Sequence, residues 1–572
     1  MTAGASSARL ASRPVALGVA GAVAALGYDP SAPAAVPKRA LLLAFGLGAL
    51  ALWGPWPGRP TRRVGAPRPP ALVLSRAGAC WLGLGAWAQV SSLWAQPRDS
   101  SLLHTWVGAC AVILAAGALS DEGRRSAARL AAVLIGAGSG LACLVQAAAG
   151  ACGIALHGLH GNSNWLGLVL ACALPLQIEW AWRQRGRGRW AGAFGLAVCL
   201  LCAAGLGLAG SRTAWLALAG AALLCLPGRS RWLAVAPLAA MAFVPASDGL
   251  ARAWAGRAWI WGASWRAALD AQPLGCGLGA FARAYLDAQG EMLAGLPPER
   301  AAVTFTNATT AHNDWIESAV SGGLPALALL AASFALAIRD AWRPWRAGAA
   351  CVLTAAVCAL GDSPLHQPAV VALLGLVLPA CGGGGQPVAR RSGGGLVRGV
   401  WGGCLVVAAV LLPGATRGWL GWRELGAARD AGLAARGQLL AAAARIDPAS
   451  GHAALQHGLD LLERGEPERA LAELRRSDTL LANLGTPVAM GNALMALGRP
   501  ERAALAYRRA LRWHPAHWRA HGNLAEALAA MGDLDAAERH LGLARRLQPG
   551  HPKLARIAEE LRRARIERET RP

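Results

Sequence analysis

Apolar positions along this chain come in long blocks rather than in the short periodic runs of a soluble domain. Windows of about 17 to 25 residues with almost no charge recur, the length a helix needs to cross a bilayer. They fall near 13–29, 38–55, 71–95, 102–119, 128–149, 163–182, 190–210, 212–227, 231–245, 315–338, 347–361, 367–382 and 397–413. The pattern predicts an all-α protein with about twelve or thirteen membrane spans, the weakest by length lying in 212–245. One long polar connection, 246–314, interrupts the series. After about residue 416 the pattern changes to small and apolar residues repeating with a period of about 34. GEPERAL begins at 465, GRPERAA at 498 and GDLDAAE at 532. Ala510 with Pro515 recurs as Ala544 with Pro549.

Composition agrees with a membrane protein: 55% of the 572 residues are hydrophobic, 15% are charged, and mean hydropathy is +0.35. The net charge of +24 is nearly all arginine, since Lys38 and Lys553 are the two lysines. Much of that arginine sits in short loops between spans, which reads as topology and argues against a nucleic-acid partner. Alternate loops are the rich ones. Arg59, Arg62, Arg63 and Arg68 follow the second span, Arg124, Arg125 and Arg129 the fourth, and Arg183, Arg185, Arg187 and Arg189 the sixth. Arg229 and Arg231, then Arg339, Arg343 and Arg346, then Arg390, Arg391 and Arg398 continue the alternation. The positive-inside rule therefore places the N-terminus in the cytoplasm and the loop 246–314 outside. With an odd number of spans, the C-terminal tail lies outside too. Most of the thirteen cysteines lie inside apolar spans, so they form neither a disulfide framework nor a zinc pattern.

With that orientation, the polar groups near membrane depth collect on one side, where such groups are costly and usually functional. They are HGLHGNSNWLG (157–167), Arg212 in GSRTAW (210–215), Arg252, Arg257 and Arg266 in the long loop, then His312, Asn313, Asp314, and His366 in GDSPLHQP (361–368). Arg212 fits either a snorkelling side chain at the lipid interface or a phosphate clamp. Trp254, Trp259, Trp261 and Trp265 interleave with the loop arginines and predict an amphipathic helix lying at the interface, with an inward arginine free to grip phosphate. PLGCGLGAF (273–281) reads as a tight turn with close backbone approach. His312 is the natural acid/base candidate, because histidine titrates near physiological pH. Its other reading is structural, with Asn313 or Asp314 orienting the ring or capping the next helix. Arginine clamps, one base and an aromatic interface helix together suit an acceptor hydroxyl attacking a lipid-linked phosphate ester.

Four of these pieces, in order, resemble the O-antigen ligase and polymerase superfamily of bacterial membrane glycosyltransferases: GNSNWLG (161–167), AGSRTAWLAL (209–218), GRAWIWGASW (256–265) with PLGCGLGAF, and AHNDWIESAVSGGLPAL (311–327). The resemblance covers about residues 70–415 and implies a GT-C-like helical bundle over 1–415, with the outer loop 246–314. It implies a metal-independent, inverting enzyme without cofactor. Such an enzyme takes a glycan from undecaprenyl diphosphate on the periplasmic face of the inner membrane and passes it to lipid A-core, a growing chain or a protein. By the family pattern His312 would activate the acceptor, and Arg212 and Arg257 would hold the diphosphate. Asn162, Asn164, Asn313, Asp314 and His366 would support them. Two positions depart from the pattern: Ser321 stands where an acid is usual, and Ala326, beside Pro325, where a second glycine is. Glu317, a turn earlier, is a candidate substitute.

The repeats resemble the tetratricopeptide, two clear copies and one degenerate copy, with 424–446 adding a capping helix. Residues 416–572 are thus expected to form a periplasmic α-solenoid that offers a protein partner a groove. Two rival readings stay open. In one, the chain is a non-catalytic polysaccharide export or assembly scaffold that depends on residues 450–550 rather than on His312. In the other it is a transporter, although the spans show no internal duplication.

Overall fold

In the computed structural model the described residues are 2–29, 32–33, 35–53, 74–97, 101–149, 157–225, 228, 249–382 and 394–570. The span expected at 231–245 and the loop arginines Arg59, Arg62, Arg63, Arg68, Arg229, Arg231, Arg390 and Arg391 lie outside them. All regular elements among the described residues are helices. They run α1 (Thr2–Leu26), α2 (Ala35–Trp53), α3 (Arg76–Ser91), α4 (Ser101–Gly117), α5 (Asp121–Ala148), α6 (Ser163–Arg185), α7 (Arg189–Ala209) and α8 (Arg212–Cys225). The long loop holds α9 (Gly249–Asp270), α10 (Phe281–Ala294) and α11 (Pro298–Thr304). Then come α12 (Asp314–Ala341), α13 (Arg346–Gly361), α14 (Pro368–Ala380) and α15 (Gly394–Asp430). The tail adds α16 (Leu433–Ile446), α17 (Gly451–Glu463), α18 (Pro467–Leu480), α19 (Gly485–Ala496), α20 (Pro500–Trp513), α21 (Trp518–Ala530), α22 (Leu534–Leu547) and α23 (Pro552–Thr570). Among the described residues six helices are long and apolar enough to cross a membrane, and five further apolar helices are shorter.

The chain forms two compact units. The first comprises Met1–Val90, Ser100–Gly249 and His312–Trp419. Its helices pack through small residues, as membrane helices do when apolar surface alone gives no driving force. Where α5 meets α7, a Cβ on Gly205 would sit 2.9 Å from the Cα of Gly140. Three of the arginine-rich connections meet at Glu179. Glu179 of α6 accepts hydrogen bonds from Arg129 of α5 at 2.9 Å, from Arg183 at 3.0 Å and from Trp345 Nε1 at 2.7 Å. The guanidinium of Arg125 lies 5.7 Å over the Trp345 ring. The connections after the fourth, sixth and tenth expected spans therefore share one side.

The second unit comprises Ser91–Asp99, Leu250–Ala311 and Leu420–Pro572. The boundary expected at 415–416 falls inside the continuous helix α15, and the long loop groups with the repeats. Within the tail α17–α18, α19–α20 and α21–α22 are successive helix hairpins, closed by α23. Gly465, Gly498 and Gly532, at φ 75°, 65° and 81°, end the first helix of each. Proline opens α18, α20 and α23, where a missing N–H costs nothing. A Cβ on Gly491 would overlap the Tyr507 ring, so α19 and α20 cross at a position only glycine allows. The end of α15 and α16 cap the array through Leu425, Ala428, Leu440, Ala443 and Ala453.

The glycine-rich turn is as tight as its sequence predicts. Gly275, Gly277 and Gly279 have φ of 80°, 98° and 94°. A Cβ on Gly277 would lie 2.7 Å from Ser91 O, and Trp94 Nε1 donates to Gly275 O at 3.1 Å. The loop helix α10 lies against α20 of the array. Trp513 Nε1 donates to Asp287 Oδ1 at 2.6 Å, and Phe305 stacks on His514 with centroids 4.2 Å apart. Leu293, Ala301 and Ala516 are buried together.

Candidate active site

The polar cluster of the first unit is assembled at the start of α12. Asn313 is its N-cap, the carboxamide oxygen accepting from Trp315 N and Ile316 N at 3.0 Å each. The same side chain donates through Nδ2 to Leu360 O at 3.0 Å. Asp314 Oδ2 accepts from Leu365 N at 2.7 Å, and Trp315 Nε1 donates to Ala356 O at 3.2 Å. Three consecutive residues thus tie α12 to the corner where α13 ends. The cap role that the sequence left open belongs to Asn313, and His312 is left to project.

His312 is the one non-glycine residue among those described with a left-handed backbone, at φ 48°. A side-chain-bearing residue adopts that region at some cost, and such residues concentrate at functional sites. Its ring is 40% exposed, yet Nδ1 is shut away from solvent and lies 3.6 Å from Oδ1 of Asp362, which is 3% exposed. A carboxylate facing Nδ1 favours the proton there and leaves Nε2 as the free base. The separation exceeds a hydrogen bond, as is common before a substrate closes such a pair. Asp362 carried no signal in the sequence: one aspartate between two apolar spans resembles any turn residue.

Arg212 enters the same region through helix packing. A Cβ on Gly361 would lie 3.2 Å from Thr213 Cγ2, so the first turn of α8 abuts the Gly361–Asp362 corner. Ser211 Oγ accepts from Ala214 N at 3.5 Å, capping α8 beside Arg212. A helix N-terminus and a guanidinium side by side suit an anion. Asn162 and Asn164 belong to another cap: Asn162 Oδ1 accepts from Asn164 N at 2.7 Å and starts α6. Trp165 and Leu168 then pack with Ala217 and Cys358, joining α6, α8 and α13. The preceding loop is pinned by Lys38 Nζ donating to Leu159 O, and by His160 Nε2 against Ser139 Oγ at 2.8 Å. Arg257 is half-buried on α9, in the second unit.

His366 pairs with Glu317 rather than with His312. Its Nε2 lies 2.6 Å from Glu317 Oε1 and 3.9 Å from Asp314 Oδ1. These three residues could converge ligand atoms on a metal ion. His366 Nε2 and Glu317 Oε1 are already spent on each other, and an ion bound through them would have to displace that bond. Burial works against a charge on His366, but the Glu317 carboxylate and its hydrogen bond outweigh it and raise the imidazole to about 8. A raised value means the pair stabilises the fold fully below histidine's ordinary 6.5, and that the contribution is lost as pH climbs through about 8. The shift corresponds to about 2 kcal/mol. Thermal unfolding of the detergent-solubilised protein is expected to fall over that window, and His366→Gln to flatten the fall. An unchanged pH profile in that variant would remove the ion pair from the account.

No curated protein matches the chain. Among solved structures, MamA is 15% identical and covers 24% of this chain and 92% of its own, with a TM-score of 0.21. Yeast Tom70 is 12% identical over 66% of this chain and 87% of its own, at 0.22. The anaphase-promoting-complex assembly Cut9–Hcn1 is 12% identical over 85% and 98%, at 0.23. Scores so low establish nothing about this fold. Family models support a multi-pass membrane protein of glycan processing with a tetratricopeptide tail. Residues 196–331, from α7 to mid-α12, match the family described as O-antigen ligase, and residues 494–561 match the tetratricopeptide repeat, the two families whose motifs the sequence carries.

Proposed function

We propose that this protein transfers a glycan from undecaprenyl diphosphate to an acceptor hydroxyl on the periplasmic face of the inner membrane. The observation that carries the reading is the His312–Asp362 pair beside the first turn of α8, which bears Arg212. His312 Nε2 takes the acceptor proton as the hydroxyl oxygen attacks the anomeric carbon. The bond from that carbon to the diphosphate oxygen breaks, and its electron pair leaves with the diphosphate. One displacement from the opposite face inverts the configuration. Arg212 and Arg257 hold the diphosphate of the donor, and Arg212 offsets the charge it gains on departing, the task a metal ion performs elsewhere. Lipid A-core, a growing chain and a protein hydroxyl are acceptors of one chemistry; the resemblance favours ligation, with polymerisation or protein O-glycosylation as the second reading.

The placement rests on the arginine bias, which puts the N-terminus in the cytoplasm, and the convergence of Arg129, Arg183 and Trp345 on Glu179 supports it. Packing of α10 on α20 supports a periplasmic tail, because segments that touch lie on the same side of a membrane. Deletion of the gene should remove an envelope glycan and accumulate its lipid-linked donor. Wild type should restore the product, while His312→Ala, at equal protein level in the membrane, should not. Full restoration by His312→Ala would reassign the protein as a scaffold.

A further inference from the structure

The outer loop is not a free flap. Helix α10 has two working faces. Tyr285 and Gln289, four apart, point one way; Asp287 and Gly290, three apart, point another. On the first face Gln289, fully buried, accepts from Trp259 Nε1 at 3.1 Å and donates to Thr306 O at 2.9 Å. Trp259 is two residues from Arg257 on α9. On the second face Asp287 accepts from Trp513, and the Arg283 guanidinium lies 5.0 Å over the same indole. A Cβ on Gly290 would overlap the carbonyl oxygen of Arg512, so the α10 and α20 backbones meet without a side chain between them. An isolated helix of 14 residues is marginal in water, and α10 gains its rigidity from what it packs on.

We propose that the tetratricopeptide array backs the loop carrying Arg257, and that Asp287, Gly290 and Trp513 form the seam that positions it for the lipid-linked donor. This rests on Arg257 holding the diphosphate. The repeats then serve the transfer itself, in addition to any partner their groove takes. Asp287, Gly290, Gln289 and Trp513 are positioning residues, acting through α9.

The test uses the full chain in liposomes with an undecaprenyl-diphosphate-linked glycan. Asp287→Ala removes the acceptor for Trp513, Asp287→Asn keeps one, and Gly290→Val wedges the seam. Asp287→Ala and Gly290→Val are expected to speed proteolysis within residues 271–311 and to raise the donor KM about tenfold, with kcat changing far less. Asp287→Asn should return both toward wild type. Arg519→Ala, in the groove beside Asn523 and Lys553, should change neither. A wild-type donor KM in variants whose loop is cleaved faster overturns the proposal and leaves the His312 reading intact. A loop cleaved no faster in Gly290→Val overturns the seam. Transfer at the wild-type rate in His312→Ala would instead sink the catalytic reading on which both stand.

Discussion

Glycan transfer by the purified protein is expected to fall about 10²–10⁴-fold when His312 becomes alanine, the contribution usual for a positioned general base. That is about 3–5 kcal/mol of transition-state stabilisation. The loss should fall on kcat, because the imidazole meets the acceptor proton only as the bond to the sugar forms. Stability should hardly suffer: the ring is partly exposed, and α12 keeps its cap because Asn313 supplies it. Glycine at 312 is an informative companion, since it accepts the left-handed backbone without strain. Asp362→Ala should cost about 100-fold by freeing the ring to turn. Because Asp362 acts through His312, the double variant should be no worse than His312→Ala alone. Additive losses would show that the carboxylate has a separate task.

The second large effect concerns Arg212. Its alanine variant is expected to lose about 10²–10³-fold in kcat, as when one preorganised donor to a developing anion is removed. Lysine restores the charge but not the forked donor geometry that grips two phosphate oxygens, so Arg212→Lys should recover only part of the loss. Measured with a lipid-linked donor, recovery to the wild-type rate would return Arg212 to the snorkelling role.

Much of this architecture is written along the chain. Apolar windows mark most helices of the first unit to within a few residues, since length and absence of charge are local properties. Repeat boundaries are marked by glycine and proline, whose backbone limits act at their own positions. The candidate base was visible for the same reason: His312, Asn313 and Asp314 are adjacent. What stayed hidden is long-range pairing. Asp362 reaches His312, and Glu317 reaches His366, only because α12 and α13 fold back on each other. The tryptophans show the limit most clearly. Four on α9 suggest a headgroup belt, and Trp254 and Trp265 are indeed exposed, but Trp259 is spent on a buried glutamine. Nothing around Trp513 announces that its partner is an aspartate of the outer loop.

That partnership has a consequence for how the protein is made. Asp287 leaves the ribosome 226 residues before Trp513. At about 5–20 residues per second, the interval is on the order of ten to forty seconds. Throughout it, the loop has its own residues around Leu293, while Ala516 and Leu547, which complete that cluster, are still unmade. The packing of the loop is therefore completed with synthesis of the tail rather than with insertion of the spans.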